Sequence, residues 1–280
     1  MVIRLIYLSI IILAGCNKSY SLPIDFTILH SSSVWGETEP CGWPKNPLGG
    51  LARKASVIDK ERLNDNPLIV VDSGDLFFHK SDLDFEKDNI EAAKIKSEII
   101  VNCNNKMNYN AFTPGSRDFA LGLKYLRKLE SQSNFSFISC NLYHEGNRKR
   151  LFDPYKIENY DGFKVAYIGA ASSFQKDSIL IREPISEIKK IYNKVSSEAD
   201  FVIVLFNGTK PDMDRLSKSG IGIDLILRSG GSSRASENGG NGTTPIYEAG
   251  NKGKYLNKME LVVVYYLAFA YSIISMIFLL

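Results

Sequence analysis

The chain has 280 residues, 44% of them hydrophobic and 23% charged, with a formal net charge of +3. This is ordinary globular composition, and the length can bury a large core in one domain of about 200 to 250 residues. Lysine and arginine are scattered among acids, with no basic stripe interleaved with aromatics, so no nucleic-acid partner is expected.

The first segment, 1–15, joins a charged start at Arg4 to an apolar run from Leu5 to Leu13 and the small-residue site Ala14-Gly15. That is the pattern of a secretory signal. Cys16, directly after Leu13-Ala14-Gly15, resembles the lipidated cysteine of a bacterial lipobox. A membrane-anchored lipoprotein of the bacterial cell envelope, facing the periplasm or exterior, is therefore expected, with 16–24 as its tether. Beyond Cys16, the cysteines Cys41, Cys103 and Cys140 are odd in number, and no spacing singles out a disulfide. The absence of a CxxC pair argues against a zinc ribbon or a redox pair.

Short apolar runs at 26–29, 68–71, 135–139, 165–168, 201–205 and 225–227 read as strands. Helical stretches lie between them, near 48–63, 86–106, 119–130, 184–198 and 210–218. In the second of these, Ile90, Ala93, Ile95, Ile99 and Ile100 are expected to form one apolar face against a sheet. Alternation of this kind indicates α/β layers with parallel or mixed sheets. The segment 230–244, rich in glycine and serine, reads as a flexible loop. The last run, 261–280, carries no charge. As a helix rising 1.5 Å per residue it would reach about 30 Å, enough to cross a bilayer. The stretch 259–266, rich in β-branched and aromatic residues, suits a strand equally, which would leave too few residues for a span. Both readings are open.

Several motifs recur in a fixed order: Phe26-Thr27-Ile28-Leu29-His30, then Val70-Val71-Asp72-Ser73-Gly74-Asp75, then Phe112-Thr113-Pro114-Gly115. Asn141 after a strand and Asp224-Leu225-Ile226-Leu227 follow, with supporting matches at 46–55, 244–250 and 253–256. Together they resemble the calcineurin-like metallophosphoesterases, in the branch of the 5′-nucleotidases and 2′,3′-cyclic phosphodiesterases. The resemblance implies an α/β fold over 25–260, a four-layer metallophosphoesterase-like sandwich of two mixed β-sheets flanked by helices. Such enzymes hold two metals about 3.5–4 Å apart, which polarise a phosphoryl oxygen and activate a bridging water.

Against that resemblance, most ligand positions are substituted. The first loop's Asp-x-His is Ser33-Val34-Trp35 here, while the Gly-Asp of the second survives as Gly74-Asp75. The third loop, Gly-Asn-His-Glu in the family, reads Gly115-Ser116-Arg117-Asp118. The ligand histidine of the fourth is replaced by Asn207, and the final Gly-His-x-His falls on Ser229-Gly230-Gly231-Ser232. The chain has three histidines, His30, His79 and His144, none at a ligand position. Asp72 and Asp118 are candidates to join Asp75 in a weak carboxylate site for one hard divalent cation. Gly230 and Trp35 oppose it, since neither offers a ligating atom. Arg117 with Arg228 is a candidate anion-binding pair; the plainer reading pairs Arg117 with Asp75 and fills the site.

The leading expectation is a degenerate, catalytically inactive phosphoesterase acting as an envelope binding or scaffold module. No cofactor is expected beyond a weakly held divalent metal. Its expected partners are the membrane, through Cys16 and the 261–280 tail, and a protein of unknown identity. The alternatives are a phosphate-ester or nucleotide hydrolase with a rebuilt site, and a truncated or decayed gene product. The resembling enzymes often carry a further domain that binds the nucleoside base. No such domain is expected within the 280 residues, and with it no source of nucleotide selectivity.

Overall fold

The computed structural model describes residues 24–42, 45, 47–84, 88–230, 234–238, 243–264 and 270–279. In chain order it forms β1 (Ile24–Ser31), α1 (Leu51–Glu61), β2 (Leu68–Asp72), α2 (Ile90–Lys106), β3 (Ala111–Phe112) and a short 3-10 turn, Ser116–Phe119. There follow α3 (Gly122–Ser131), β4 (Ser136–Phe137), β5 (Leu142–His144), β6 (Tyr155–Tyr160), β7 (Phe163–Ala171) and β8 (Ile179–Ile181). The remainder is α4 (Pro184–Val195), β9 (Phe201–Asn207), α5 (Lys210–Ser217), β10 (Leu225–Ser229), β11 (Ala235–Asn238), β12 (Ile246–Ala249), β13 (Tyr255–Val264) and β14 (Ala270–Leu279).

Two six-stranded mixed sheets result, ordered β14-β13-β1-β2-β3-β4 and β11-β12-β10-β9-β7-β6. In the first, β1 to β4 run parallel and β13 is antiparallel to β1. In the second, β12, β10, β9 and β7 run parallel. Phe26, Ile28 and Val71 of one sheet meet Tyr167, Ile203, Leu205 and Leu227 of the other in a common core. The helices α1, α2 and α3 cover the outer face of the first sheet, and α4 and α5 that of the second. The architecture is thus the four-layer sandwich expected. β9 is buried at all seven positions, as a central strand covered on both faces must be. The termini are set locally: Asn89 Oδ1 accepts the Ala92 N–H to start α2, and Thr209 accepts the Asp212 N–H to start α5 after a proline-compatible first turn.

Three sequence expectations change. In α2 the buried stripe is Ser97, Ile100, Val101 and Asn104, while Ile95 and Ile99 are exposed. Ile90, Ala93 and Ile100 do pack on the core as expected, but Ser97 and Asn104 rather than Ile95 and Ile99 complete the inward face. The loop expected over 230–244 contains β11, whose antiparallel pairing with β12 supplies hydrogen bonds that composition does not reveal. The tail is not helical where described: 255–264 is β13 and 270–279 is β14, paired antiparallel. β-Branched residues at 262–264 fit that strand, so the sheet runs past the expected boundary at 260. Among the described residues no helix is long and apolar enough to cross a membrane. The signal segment, Cys16 and most of the tether lie outside the described residues, and Cys41, Cys103 and Cys140 carry free thiols.

Candidate functional site

The parallel strands β1, β2, β3, β9 and β10 end on the same side, and the loops leaving them meet across the gap between the sheets. Ligands in open α/β sheets collect at such carboxyl ends. The first two loops run side by side, with Ser33 N, Trp35 N and Gly36 N donating to the carbonyls of Gly74, Asp75 and Leu76 at 2.9–3.0 Å. To do so Ser33, Trp35 and Asp75 take φ of 48°, 59° and 56°, a left-handed conformation uncommon in residues other than glycine. Ser229 Oγ joins the second sheet to the loop after β2, donating to Ser73 O at 2.6 Å, and is itself held by Asn207 Nδ2 of the neighbouring strand at 2.6 Å.

A cleft of about 230 Å³ opens there, lined by Trp35, Asp75, Ser116, Arg117, Asn207 and Gly230 among others. Six of the substituted or retained positions singled out from sequence thus share one cleft. Ser33 lies buried beneath it, and Ser232 falls outside the described residues. Sequence reasoning missed Ser172, Phe174 and Thr209, which also line it. Their signal was position alone: the first two follow β7 and the third caps α5, again at strand ends.

Arg117 dominates the cleft. Its guanidinium stacks 4.4 Å from the Trp35 ring centroid and its Nε stands 3.7 Å from Asp75 Oδ2. Its backbone N–H donates to Asp75 Oδ1 at 3.1 Å, and Asn207 hydrogen-bonds the same carboxyl. Burial raises the Asp75 pKa, and these donors with the Arg117 charge oppose the rise.

The two other carboxylates expected as ligands are engaged elsewhere. Asp118 accepts four main-chain N–H groups, from Gly115, Asp75, Leu76 and Phe77, at 2.8–3.0 Å. Burial and the neighbouring Asp75 push its pKa well up, against the pull of those donors. Asp72 accepts from Ser31 Oγ at 2.6 Å and Gly74 N at 2.8 Å, and burial raises its pKa to about 6. Each carboxylate pins a loop, and neither is among the cleft-lining residues. Arg228 is corrected as well. It pairs with Glu248 at 2.9 Å and donates to Gly208 O at 3.2 Å, and it is not among the cleft-lining residues. Asn141 is a structural brace, holding Ala171 on both sides of its peptide and the carbonyl of Arg182. His30 is wholly buried, its Nε2 2.8 Å from Ser73 Oγ, and burial lowers its pKa to about 3.

The donor set does not fit the two-metal centre of the resembling enzymes. A bridging pair of divalent ions needs several free carboxylate and imidazole ligands. The cleft offers Asp75, already bonded to Arg117 and Asn207, and a permanent cation beside it. Among the described residues no group of three histidine, cysteine or acidic side chains is arranged to hold a metal.

Comparison with known proteins agrees with this fold. No family model matches the sequence. The 5′-nucleotidase of Vibrio cholerae is 26% identical over 221 residues, covering 69% of this chain and 36% of that protein. The 2′,3′-cyclic-nucleotide 2′-phosphodiesterase/3′-nucleotidase of Haemophilus influenzae is 30% identical over 129 residues, covering 43% of this chain and 20% of its own length. Among solved structures, the calcineurin-like phosphoesterase YfkN of Bacillus subtilis superposes with a TM-score of 0.75 at 19% identity, over 92% of this chain and 91% of that one. The class these define is the metallophosphoesterase superfamily, which this chain resembles in fold and sequence. The resemblance lies in its 5′-nucleotidase branch, and the chain spans about a third of the length of the first of these relatives.

Proposed function

We propose that this chain is a phosphoesterase body without phosphoesterase chemistry, a binding or scaffold module anchored in a bacterial envelope through Cys16. One observation carries this: the Arg117 guanidinium lies against Asp75 and Trp35, where a metal-holding site would need free ligands. A guanidinium stays protonated throughout the physiological range, so its charge repels a divalent cation. The anchor reading rests on Leu13-Ala14-Gly15-Cys16 behind an apolar run. Similarity to 5′-nucleotidases supports the opposing reading, hydrolysis of nucleotides or other phosphate esters.

Metal analysis after loading with Mn²⁺ or Zn²⁺, paired with hydrolysis of a generic phosphodiester, separates the two. The proposal expects substoichiometric metal and the same background rate in wild type and Asp75→Ala. Stoichiometric metal with turnover abolished by Asp75→Ala would establish an active enzyme instead. Cys16→Ala in cells tests the anchor: loss of lipid labelling is expected, and unchanged labelling would refute it.

A further inference from the structure

A second site stands apart from the cleft, on the hairpin that carries β5. His144 N donates to Lys149 O at 2.8 Å, Leu151 N to Leu142 O at 2.9 Å, and Arg148 N to His144 O at 2.9 Å. Two side chains stiffen the tip: His144 Nδ1 accepts from Gly146 N, and Asn147 Oδ1 accepts from Lys149 N, at 3.1 and 3.0 Å. The tip therefore presents Arg148, Lys149 and Arg150 from a defined turn. Their run in sequence was too short to stand out, and the fold adds to it.

Behind the tip, Arg150 and Arg182 lie on the Tyr143 ring, 5.3 and 3.9 Å from its centroid. Both also face the carboxylate of Glu187, which is buried and further held by Tyr143 Oη at 2.8 Å and Lys190 Nζ at 2.6 Å. One buried acid thus orients three cations and neutralises only one of them. Burial raises the Glu187 pKa, but the donors from Lys190 and Tyr143 outweigh it and the net shift is downward, so Glu187 stays ionised. Beside this cluster runs a groove of about 550 Å³, with Arg127, Arg148, Lys149 and Arg150 along it over the buried Tyr143 and Phe152. Its acids are Glu130, which Arg127 holds at 2.5 Å, and Asp153. Arg127 also stacks on Phe152, 4.6 Å from the ring centroid. Arg150 donates to Cys140 O and Glu187, and Arg127 to Glu130 and Leu151 O, so both are braced from within and the charge turned to solvent along the groove is that of the exposed Arg148 and Lys149.

We propose that this groove is an anion site for a phosphate-bearing ligand, free in solution or displayed as a lipid headgroup. The size suits a small molecule. This reading is independent of the lost metal chemistry, since no groove residue lines the cleft.

Full-length protein would be titrated calorimetrically with inorganic pyrophosphate at low ionic strength. In a second arm it would be sedimented with phosphatidylcholine vesicles with and without phosphatidic acid. The comparison is Arg148→Ala/Lys149→Ala, whose residues are exposed and leave the Tyr143–Glu187 cluster intact. Lys60→Ala/Lys96→Ala removes equal charge elsewhere as a control. The expected result is binding in at least one arm that the first variant weakens about tenfold or more and the control leaves alone. Pyrophosphate binding identifies a soluble ligand, and vesicle binding alone identifies a headgroup. Absence of binding in both arms, or equal weakening by the control, overturns the site.

Discussion

Arg117 stands over Trp35 and against Asp75 at once, so a single side chain joins two loops that the resembling enzymes use to hold metal. Asp75 is mostly buried, and Arg117 about a third exposed. Truncation to Arg117→Ala removes the cation and the ring contact while leaving the backbone N–H bond to Asp75. Because water screens part of the pair, a loss of about 1–2 kcal/mol in urea unfolding is expected, below that of a fully buried pair. Arg117→Lys keeps charge without the flat stack and should recover only part of it. A neutral Arg117→Ala would show that the guanidinium does not hold the loops.

Gly115 is required for space rather than for backbone freedom. Its φ of −104° suits any residue, yet an added Cβ would run into the amide of Asn207 and Oδ1 of Asp75. Gly115→Ala should therefore cost about 1–3 kcal/mol, as overpacking does. Gly146→Ala, where the nearest atom to a Cβ is His144 Cε1 at 3.4 Å, should be close to neutral. Equal effects in denaturant melts would place the constraint elsewhere.

Two buried groups give stability opposite pH dependences. His30 falls from 6.5 to about 3 on burial, so the unfolded chain takes its proton first and stability is lost as pH drops below 6.5. Asp72 rises from 3.8 to about 6, so its contribution is present at low pH and lost as pH rises through about 6. Asp75 and Asp118, also raised, act in the direction of Asp72. From about pH 7 to about pH 5 the His30 loss is about 2 kcal/mol and the Asp72 gain about 1 kcal/mol. Relative to wild type, His30→Gln should gain stability on acidification, whereas Asp72→Asn should lose more. Urea midpoints at the two pH values measure both differences, and parallel behaviour of the variants would contradict the assignment.

Much of this arrangement was legible in the sequence, for reasons that differ by element. β7, β9 and β10 are continuous apolar runs because both faces are covered, and helices α4 and α5 announce themselves by a proline in the first turn. The cleft was found through the order of Gly74-Asp75, Gly115 and Asn207, since strand ends fix where loops converge. The pairing of Arg117 with Asp75 was readable as charge meeting charge. The roles of Asp118 and Arg228 were not: four N–H donors and a partner twenty residues away exist only once the loops and sheets are built. Nor could periodicity show that Ser97 and Asn104 replace isoleucine on the inward face of α2.

Lys258 on β13 reaches Glu61 at the end of α1 at 2.9 Å, with both side chains no more than 10% exposed. It also bonds the more exposed Glu260 at 2.9 Å. Among the described residues Glu61 accepts besides only from Asn64 Nδ2, at 3.2 Å, so loss of the ammonium would strand a carboxylate between helix and sheet. Lys258→Met should cost about 3–5 kcal/mol, the range for breaking one side of a buried pair. The double variant Lys258→Met/Glu61→Leu, in which neither charge remains, should regain most of that loss, because well-packed apolar groups replace buried pairs at little net cost. A double variant no more stable than Lys258→Met would mean that the ammonium acts through Glu260 or through packing. Guanidinium unfolding of the four proteins gives the coupling directly, and a coupling near zero would show that α1 docks on β13 by its apolar stripe, Leu51 and Ile58, alone.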